Sequence, residues 1–346
     1  MTSKLSQSDS CRFGGCTLTG ALSATTHIRD TVSVVHGPKG CTHHNFSLLQ
    51  ATGSENDRVA IPDLISTNLA ETDIVFGGER VLVATLESTA RNDIRAIFVL
   101  STCIIDTIGD DVAAVCEQEY GIPVIRVPTA GFLGGTFQGG LNNALCAIAG
   151  LANPCVKHLS VNIIGEKNLE YEVEENYGEV ARLLSLLGIP VNLRYVRNCE
   201  LDRIGRLGAA RLNVLRDQDL VPTGEFLKQR FGTPYLVSYP TGFDGTIRFL
   251  EAVATLCGTE SGEALFAEQA RQDKTIADFG DLSGEKVRFA LPGTSPESFR
   301  VAGEMAQKLD LSVGPGGREV PVPFDPPVGS TGIRRLLHRW RCAIHA

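Results

Sequence analysis

Apolar, β-branched runs recur along this chain at residues 31–36, 74–76, 94–101, 124–127, 160–165, 191–196, 235–239 and 286–292. Within them apolar and polar residues do not alternate strictly, and amphipathic helix-length stretches separate most of them. That pattern predicts parallel strands buried on both faces and covered by helices. The clearest helix spans 174–187, where Tyr177, Val180, Ala181, Leu183, Leu184 and Leu187 fall at three-to-four spacing before Gly188 and Pro190 stop it. A strand over 189–196 and a helix over 200–211 are expected next. The polar run 269–284 reads as a linker, and Ser295-Pro296 as a helix N-cap with a first-turn proline. The Pro- and Gly-rich stretch after Leu311 reads as extended chain, and the basic run 334–341 as one short helix. The expected fold class is α/β: two Rossmann-like parallel-sheet domains, at 1–155 and 156–283, and an abbreviated third α/β segment at 284–346.

Composition narrows the function classes. With 43% hydrophobic and 21% charged residues the chain is neither disordered nor membrane-embedded. A net charge of −8 and only 6% aromatic residues argue against nucleic acid as a partner. The uncharged stretch between Arg126 and Lys157 holds six glycines, Gln138, Asn142, Asn143 and Pro154, too polar for a membrane span, and reads as a buried loop and helix. The first ten residues have no apolar core of a signal peptide, so a cytoplasmic chain with reduced thiols is expected. A phosphate loop, a dinucleotide Gly-x-Gly-x-x-Gly after a strand, a His-Glu-x-x-His, a Gly-x-Ser-x-Gly and a Cys-x-x-Cys are all absent.

Ten cysteines then become the informative residues. Cys16 follows Gly14-Gly15, Cys41 closes His36-Gly-Pro-Lys-Gly-Cys, and Cys103 closes Leu100-Ser-Thr-Cys. Each stands at or near a strand end, where parallel sheets present their binding loops. Neighbouring glycines let backbone approach a bulky group. Soft thiolates select iron–sulfur clusters or zinc, and the wide spacing suits a site assembled from loops. Three small buried core thiols are the competing interpretation. Cys116, Cys146 and Cys257 fall within helical patterns and read as core, while Cys155, Cys199 and Cys342 have no chemical context.

Taken with Ser66-Thr-Asn-Leu-Ala-Glu-Thr-Asp-Ile-Val-Phe-Gly-Gly-Glu79 and Ser101-Thr-Cys-Ile-Ile-Asp-Thr-Ile-Gly-Asp-Asp111, the Cys41 loop resembles the signature of nitrogenase component 1 and its relatives. Pro128-Thr-Ala-Gly-Phe132, Val161-Asn-Ile-Ile-Gly-Glu166, Arg211-Leu-Asn-Val214 and Phe231-Gly-Thr-Pro234 continue it in order, from about residue 11 to residue 257. The resemblance implies that Cys16, Cys41 and Cys103 are ligands of a bridging cluster at a subunit interface, here a 4Fe-4S cluster. Cys11 is the local rival of Cys16, which fits the family spacing better. The family's cofactor-holding thiolate is missing, because the motif reads Arg211-Leu-Asn-Val-Leu-Arg-Asp217. That departure and the short third segment point to the tetrapyrrole-reducing branch, most like the reductive cyclase of Ni-sirohydrochlorin a,c-diamide.

The resemblance further implies a homodimer, a separate homodimeric iron–sulfur ATPase as electron donor, and a nickel tetrapyrrole as substrate. Asp217, His43 and His44 are the candidate groups on the substrate side, because His suits proton donation near neutral pH and Asp217 closes the motif from which the thiolate is missing. His36 and His44 also admit a plain role in holding the Cys41 loop, and Asp110-Asp111 reads as a cap for the next helix. The basic tail is either a solvated helix face or a contact for substrate carboxylates. Two other functions remain open on these residues: a scaffold for metallocluster assembly, and a non-enzymatic α/β binding module.

Overall fold

The computed structural model describes residues 15–55, 62–91, 93–131, 135–169, 172–290 and 295–345. The chain forms two compact units, Met1–Val173 with Asn192–Tyr235, and Glu174–Val191 with Leu236–Ala346. Three sheets are present among the described residues, and every strand pairing recorded between neighbours is parallel. This is the mixed α/β architecture that the apolar runs predict.

The first sheet has the order β2-β1-β3-β4, with β1 at Thr31–His36, β2 at Leu64–Ser66, β3 at Ala96–Ser101 and β4 at Val124–Val127. β1 and β3 are central and buried along their whole length, which is why they read as continuous apolar runs. Val32, Val34, Ile97 and Val99 join Leu82, Leu86 and Ile105 from the covering helices in one core cluster. The second sheet has the order β6-β5-β7-β8, with β5 at His158–Ile164, β6 at Val191–Tyr195, β7 at Ala210–Leu215 and β8 at Tyr235–Val237. Asn162 on β5 and Asn213 on β7 face each other in register, and the Asn162 amide donates to the Asn213 oxygen at 2.8 Å. Both motif asparagines are thus a buried structural pair, and Asn162 also donates to the Leu207 carbonyl and accepts from Asn192.

In the second unit β9 (Lys286–Ala290) lies between β10 (Ser312–Val313) and β11 (Arg318–Pro321). Val287, Val301, Met305, Phe243 and fully buried Trp340 fill its core, and the Trp340 indole donates to the Pro321 carbonyl at 2.8 Å. The C-terminal helix Gly329–His345 is tied down by a buried network. Arg182 forks to Glu179 at 2.8 and 3.0 Å and reaches Glu268 at 2.7 Å, while Ser330 and Thr331 donate to the same two carboxylates.

Four local expectations are corrected. Residues 74–76 are not a strand but the end of the helix Glu71–Phe76, where Asp73 caps the Ala70 amide at 2.8 Å. The helix expected over 200–211 is one turn, Leu201–Ile204, followed by the short turn Leu207–Ala209 and the largely buried strand Ala210–Leu215; Leu201, Ile204 and Leu207 at three-residue spacing mimic a longer helix. The linker expected over 269–284 is largely the helix Gly262–Asp278, whose polar outer face hid a stripe at Ala264, Glu268, Gln272 and Thr275. The basic tail is more than a solvated face. Arg334 pairs with Asp278 at 2.7 Å, and Arg341 pairs with Asp281 and lies 4.2 Å from the Phe279 ring centroid.

Candidate functional site

β1 and β3 are neighbours, and His36 and Ser101 are partners in register at their C-terminal ends. The two loops that leave these strands therefore start side by side. Gly37 turns the first loop at φ +150°, where an added Cβ would lie 2.1 Å from the Thr102 hydroxyl, so only glycine fits. The helix Lys39–Glu55 follows, with Cys41 in its first turn, while Cys103 opens the helix Cys103–Ile108 after extended Thr102. Cys16 is the N-cap residue of the helix Thr17–Thr25, set by Gly15 at φ +78°. That helix lies against Phe137–Ala149 at backbone distance: a Cβ on Gly140 would meet the Thr17 carbonyl oxygen at 1.9 Å, and one on Gly20 the Phe137 carbonyl oxygen at 1.8 Å.

The three thiols share one electrostatic neighbourhood. Burial pushes the Cys41 thiol up, and the negative charges that Cys16 and Cys103 would carry push it further. Cys16 and Cys41 are exposed and Cys103 is half-buried. Among the described residues no three His, Cys, Asp or Glu side chains close on a point that would hold a single metal ion. A mononuclear zinc site would need its ligands about 2.3 Å from one centre, whereas the thiolates of a cluster bind separate irons and stand farther apart. In front of Cys103 the space is kept by Gly131, where a Cβ would sit 2.9 Å from the sulfur. A soft donor set with a glycine-cleared face has the chemistry that an iron–sulfur cluster takes.

Behind the thiols runs a buried hydrogen-bond chain. His36 is fully buried, with Nδ1 3.1 Å from the Thr67 hydroxyl and Nε2 3.2 Å from the Asp110 carboxylate. The Gly37 amide donates to the Thr67 hydroxyl at 2.9 Å, and the Gly78 amide to Asp110 at 2.9 Å. Burial holds His36 below its ordinary value although Asp110 pulls the other way, so the ring is neutral and its Nε2–H donates to Asp110. His36 thus has the plain structural role. Of the two acids expected to cap a helix, Asp111 does so, accepting from Ala114 at 3.0 Å; Asp110 instead serves His36 and Gly78.

The remaining candidates lie elsewhere. His43 and His44 are exposed on the helix that begins beside Cys41, and His44 shares the face of Cys41 at three-residue spacing. Asp217 is at the C-terminal end of β7, on the other sheet, where its carboxylate accepts from the Asp219 amide at 3.0 Å. Burial foremost raises its pKa, Asp219 adds to this, and Lys167 and Arg216 oppose it. Cys11 lies outside the described residues. Cys257 and Cys199 are buried, Cys116 and Cys146 are partly buried in helices, and Cys155 and Cys342 are exposed.

Residue reading overlooked three threonines. Thr17, Thr42 and Thr102 each adjoin one of the three cysteines, each is buried, and none of their hydroxyls has a hydrogen-bond partner among the described residues. Their one sequence signal was adjacency: Cys-Thr, Cys-Thr and Thr-Cys.

Parallel sheets covered by helices, with a loop-built thiol trio near the strand ends, define the class as an α/β protein. Residues 16–299 match the family described as nitrogenase component 1 type oxidoreductase, and the chain belongs to that family. It is 30% identical over 80% of its length to the nitrogenase iron-molybdenum cofactor biosynthesis protein NifE of Clostridium pasteurianum, covering 62% of that protein. It is 32% identical over 77% of its length to NifE of a Nostoc species, covering 55% of it, and 26% identical over 86% to the nitrogenase molybdenum-iron protein alpha chain of Methanococcus maripaludis, covering 67%. Among solved structures, nitrogenase Cp1 at pH 6.5 superposes with a TM-score of 0.67 at 23% identity, over 86% of this chain and 60% of that one. The chain thus spans well under two thirds of the length of several of these relatives. No helix among the described residues is long and apolar enough to cross a membrane.

Proposed function

We propose that this chain is the substrate-reducing component of a nitrogenase-like reductive cyclase acting on Ni-sirohydrochlorin a,c-diamide. The observation that carries the reading is the thiol trio, in which Cys41 feels the charges of Cys16 and Cys103, beside a motif Arg211-Leu-Asn-Val-Leu-Arg-Asp217 that lacks the family's cofactor-holding cysteine. Cys16, Cys41 and Cys103 would hold a 4Fe-4S cluster, which when bound relays single electrons at low potential. The fourth ligand would come from the same face of a second copy, since a two-fold interface pools thiolates from both chains. The exposed positions of Cys16 and Cys41 suit such an interface.

The chain's own residues would supply position and protons. Asp217, its proton affinity raised by burial, is placed to protonate a macrocycle that is being reduced, with His43 and His44 as further candidates. Electrons would come from a separate iron–sulfur ATPase. Val75 and Phe76, 73% and 87% exposed on a helix that packs against Cys103–Ile108, offer an apolar footing for that partner beside the thiols.

The NifE relatives favour a second reading, a scaffold on which a metallocluster is assembled. One anaerobic experiment separates them: the reconstituted chain, an active iron–sulfur ATPase, dithionite, ATP and Ni-sirohydrochlorin a,c-diamide, followed by the macrocycle spectrum. ATP-dependent bleaching and a new product band support the cyclase. An unchanged spectrum, together with delivery of a cluster from this chain to an apo-acceptor, supports the scaffold. Serine at Cys16, Cys41 or Cys103 should each reduce iron content and thiolate-to-iron absorption, whereas serine at Cys116 should not.

A further inference from the structure

A buried hydroxyl without a partner is uncommon and unfavourable, and here three occur one residue away from the three thiols. Thr17, Thr42 and Thr102 are 3%, 8% and 2% exposed. Other buried helical threonines are partnered: Thr52 donates to the Leu48 carbonyl at 2.9 Å, Thr89 to Thr85 at 2.7 Å, Thr246 to Gly242 at 2.6 Å and Thr223 to Asn142 at 2.5 Å, while the Thr19 hydroxyl lies 3.4 Å from Cys16 Sγ. Thr17 is the first residue of its helix, so no helical carbonyl lies four residues before it, and Thr42, in the first turn of its own helix, makes no such bond. Thr102 is an N-cap residue that makes no capping bond, whereas Thr136 in the same role accepts from the Gly139 amide at 3.0 Å. Thr17 Oγ1 and Cys103 Sγ border the same glycine-cleared space, lying 3.8 and 2.9 Å from the point a Gly131 Cβ would occupy.

We infer that the hydroxyls of Thr17, Thr42 and Thr102 are donors to the sulfurs of the cluster held by Cys16, Cys41 and Cys103, and that they raise its reduction potential. Reduction adds negative charge to the sulfurs, so a donor aimed at them strengthens on reduction and favours the reduced form. The three are positioning residues for electron transfer. The inference rests on the cluster reading above.

The test is a redox titration of the reconstituted full-length chain, read by cluster absorption and electron paramagnetic resonance, with no substrate or partner present. Each of Thr17→Val, Thr42→Val and Thr102→Val is expected to keep its iron and to shift the reduced-to-oxidised ratio at fixed potential about threefold to tenfold toward the oxidised form, tenfold being ~59 mV for one electron. Thr→Ser at the same positions restores the wild-type ratio, and Thr52→Val, on the same helix as Thr42, leaves it unchanged. Without iron the valine variants are at least as stable as wild type, because an unpaired hydroxyl has been removed. If a valine variant takes up no iron, the smaller alanine variant carries the same expectation. Wild-type potentials in all three variants overturn the inference alone; no iron uptake by the wild-type chain overturns the cluster reading, and the inference with it.

Discussion

Gly140→Ala and Gly139→Ala, one position apart on one helix, should move stability in opposite directions. A Cβ at Gly140 would stand 1.9 Å from the Thr17 carbonyl oxygen and 2.9 Å from the Thr17 Cα, both backbone atoms that cannot rotate away. Clearing a contact of 3.0 Å requires the helices Thr17–Thr25 and Phe137–Ala149 to part by about 1 Å, which overpacking data put at about 1–3 kcal/mol. At roughly 2–4 °C per kcal/mol for a unit of this size, the melting temperature should fall by about 2–12 °C. A Cβ at Gly139 meets only the Thr136 hydroxyl, at 3.4 Å, so alanine there removes unfolded-state freedom and should gain about 0.4–1 kcal/mol. Because Cys16 caps the displaced helix, Gly140→Ala should also lose iron on reconstitution while Gly139→Ala keeps it. Calorimetry of the apo-protein and iron analysis check both. Equal melting temperatures for the two variants, or full iron in Gly140→Ala, would refute the reasoning.

Arg182→Met leaves Glu179 and Glu268 buried without their cation and should cost about 3–5 kcal/mol at pH 7 in denaturant unfolding. In the wild type, burial alone would raise Glu179, but Arg182 and Thr331 hold it below its ordinary value, so its contribution is lost as pH falls. The variant keeps the burial and loses the cation, so its deficit should shrink from pH 7 to pH 5; a constant deficit contradicts this. His36 is held below its ordinary value, so the unfolded chain takes up a proton first, and stability should drop as pH falls through about 6.5. His36→Gln should remove that part of the pH dependence, and an unaltered profile would show that His36 is not its source. Asp217→Asn should cut macrocycle reduction by a factor of about 10² while leaving iron content unchanged; undiminished turnover would exclude Asp217 as the proton donor.

The central strands were legible because burial on both faces leaves a signature in composition alone. Residues 31–36 were bounded to the residue and 94–101 to within two residues, and the loops of Cys41 and Cys103 followed from where those strands end. The misses share a different cause. The helix expected over 200–211 ran into the start of Ala210–Leu215 because Leu201, Ile204 and Leu207 keep helical spacing; within the strand Asn213 is polar because Asn162 faces it across the sheet, a partner 51 residues away that no local pattern reveals. The helix Gly262–Asp278 was hidden likewise, since Glu268 is buried only because Arg182 and Ser330 meet it. Local periodicity reports burial of apolar side chains and is blind to buried polar groups satisfied at long range.

The same blindness bears on the site. Cysteine spacing and flanking glycines sufficed to select Cys16, Cys41 and Cys103, but residues that would decide a cluster's potential carry no such label. A threonine beside a cysteine is ordinary; it becomes informative once its hydroxyl is known to be buried and left without a partner among the described residues. Asp110 shows the converse. Its sequence context suggested a cap, yet it holds His36 and Gly78 together, joining the strand that leads to Cys41 to the turn that follows Val75 and Phe76. A Cβ on Gly78 would come within 3.0 Å of the His36 ring and 2.9 Å of the Asp110 carboxylate, so that turn cannot shift without disturbing the strand end. A partner seated on Val75 and Phe76 would therefore press on the loop that carries Cys41 through three buried groups, a mechanical link that neither the motif nor the thiols alone disclose.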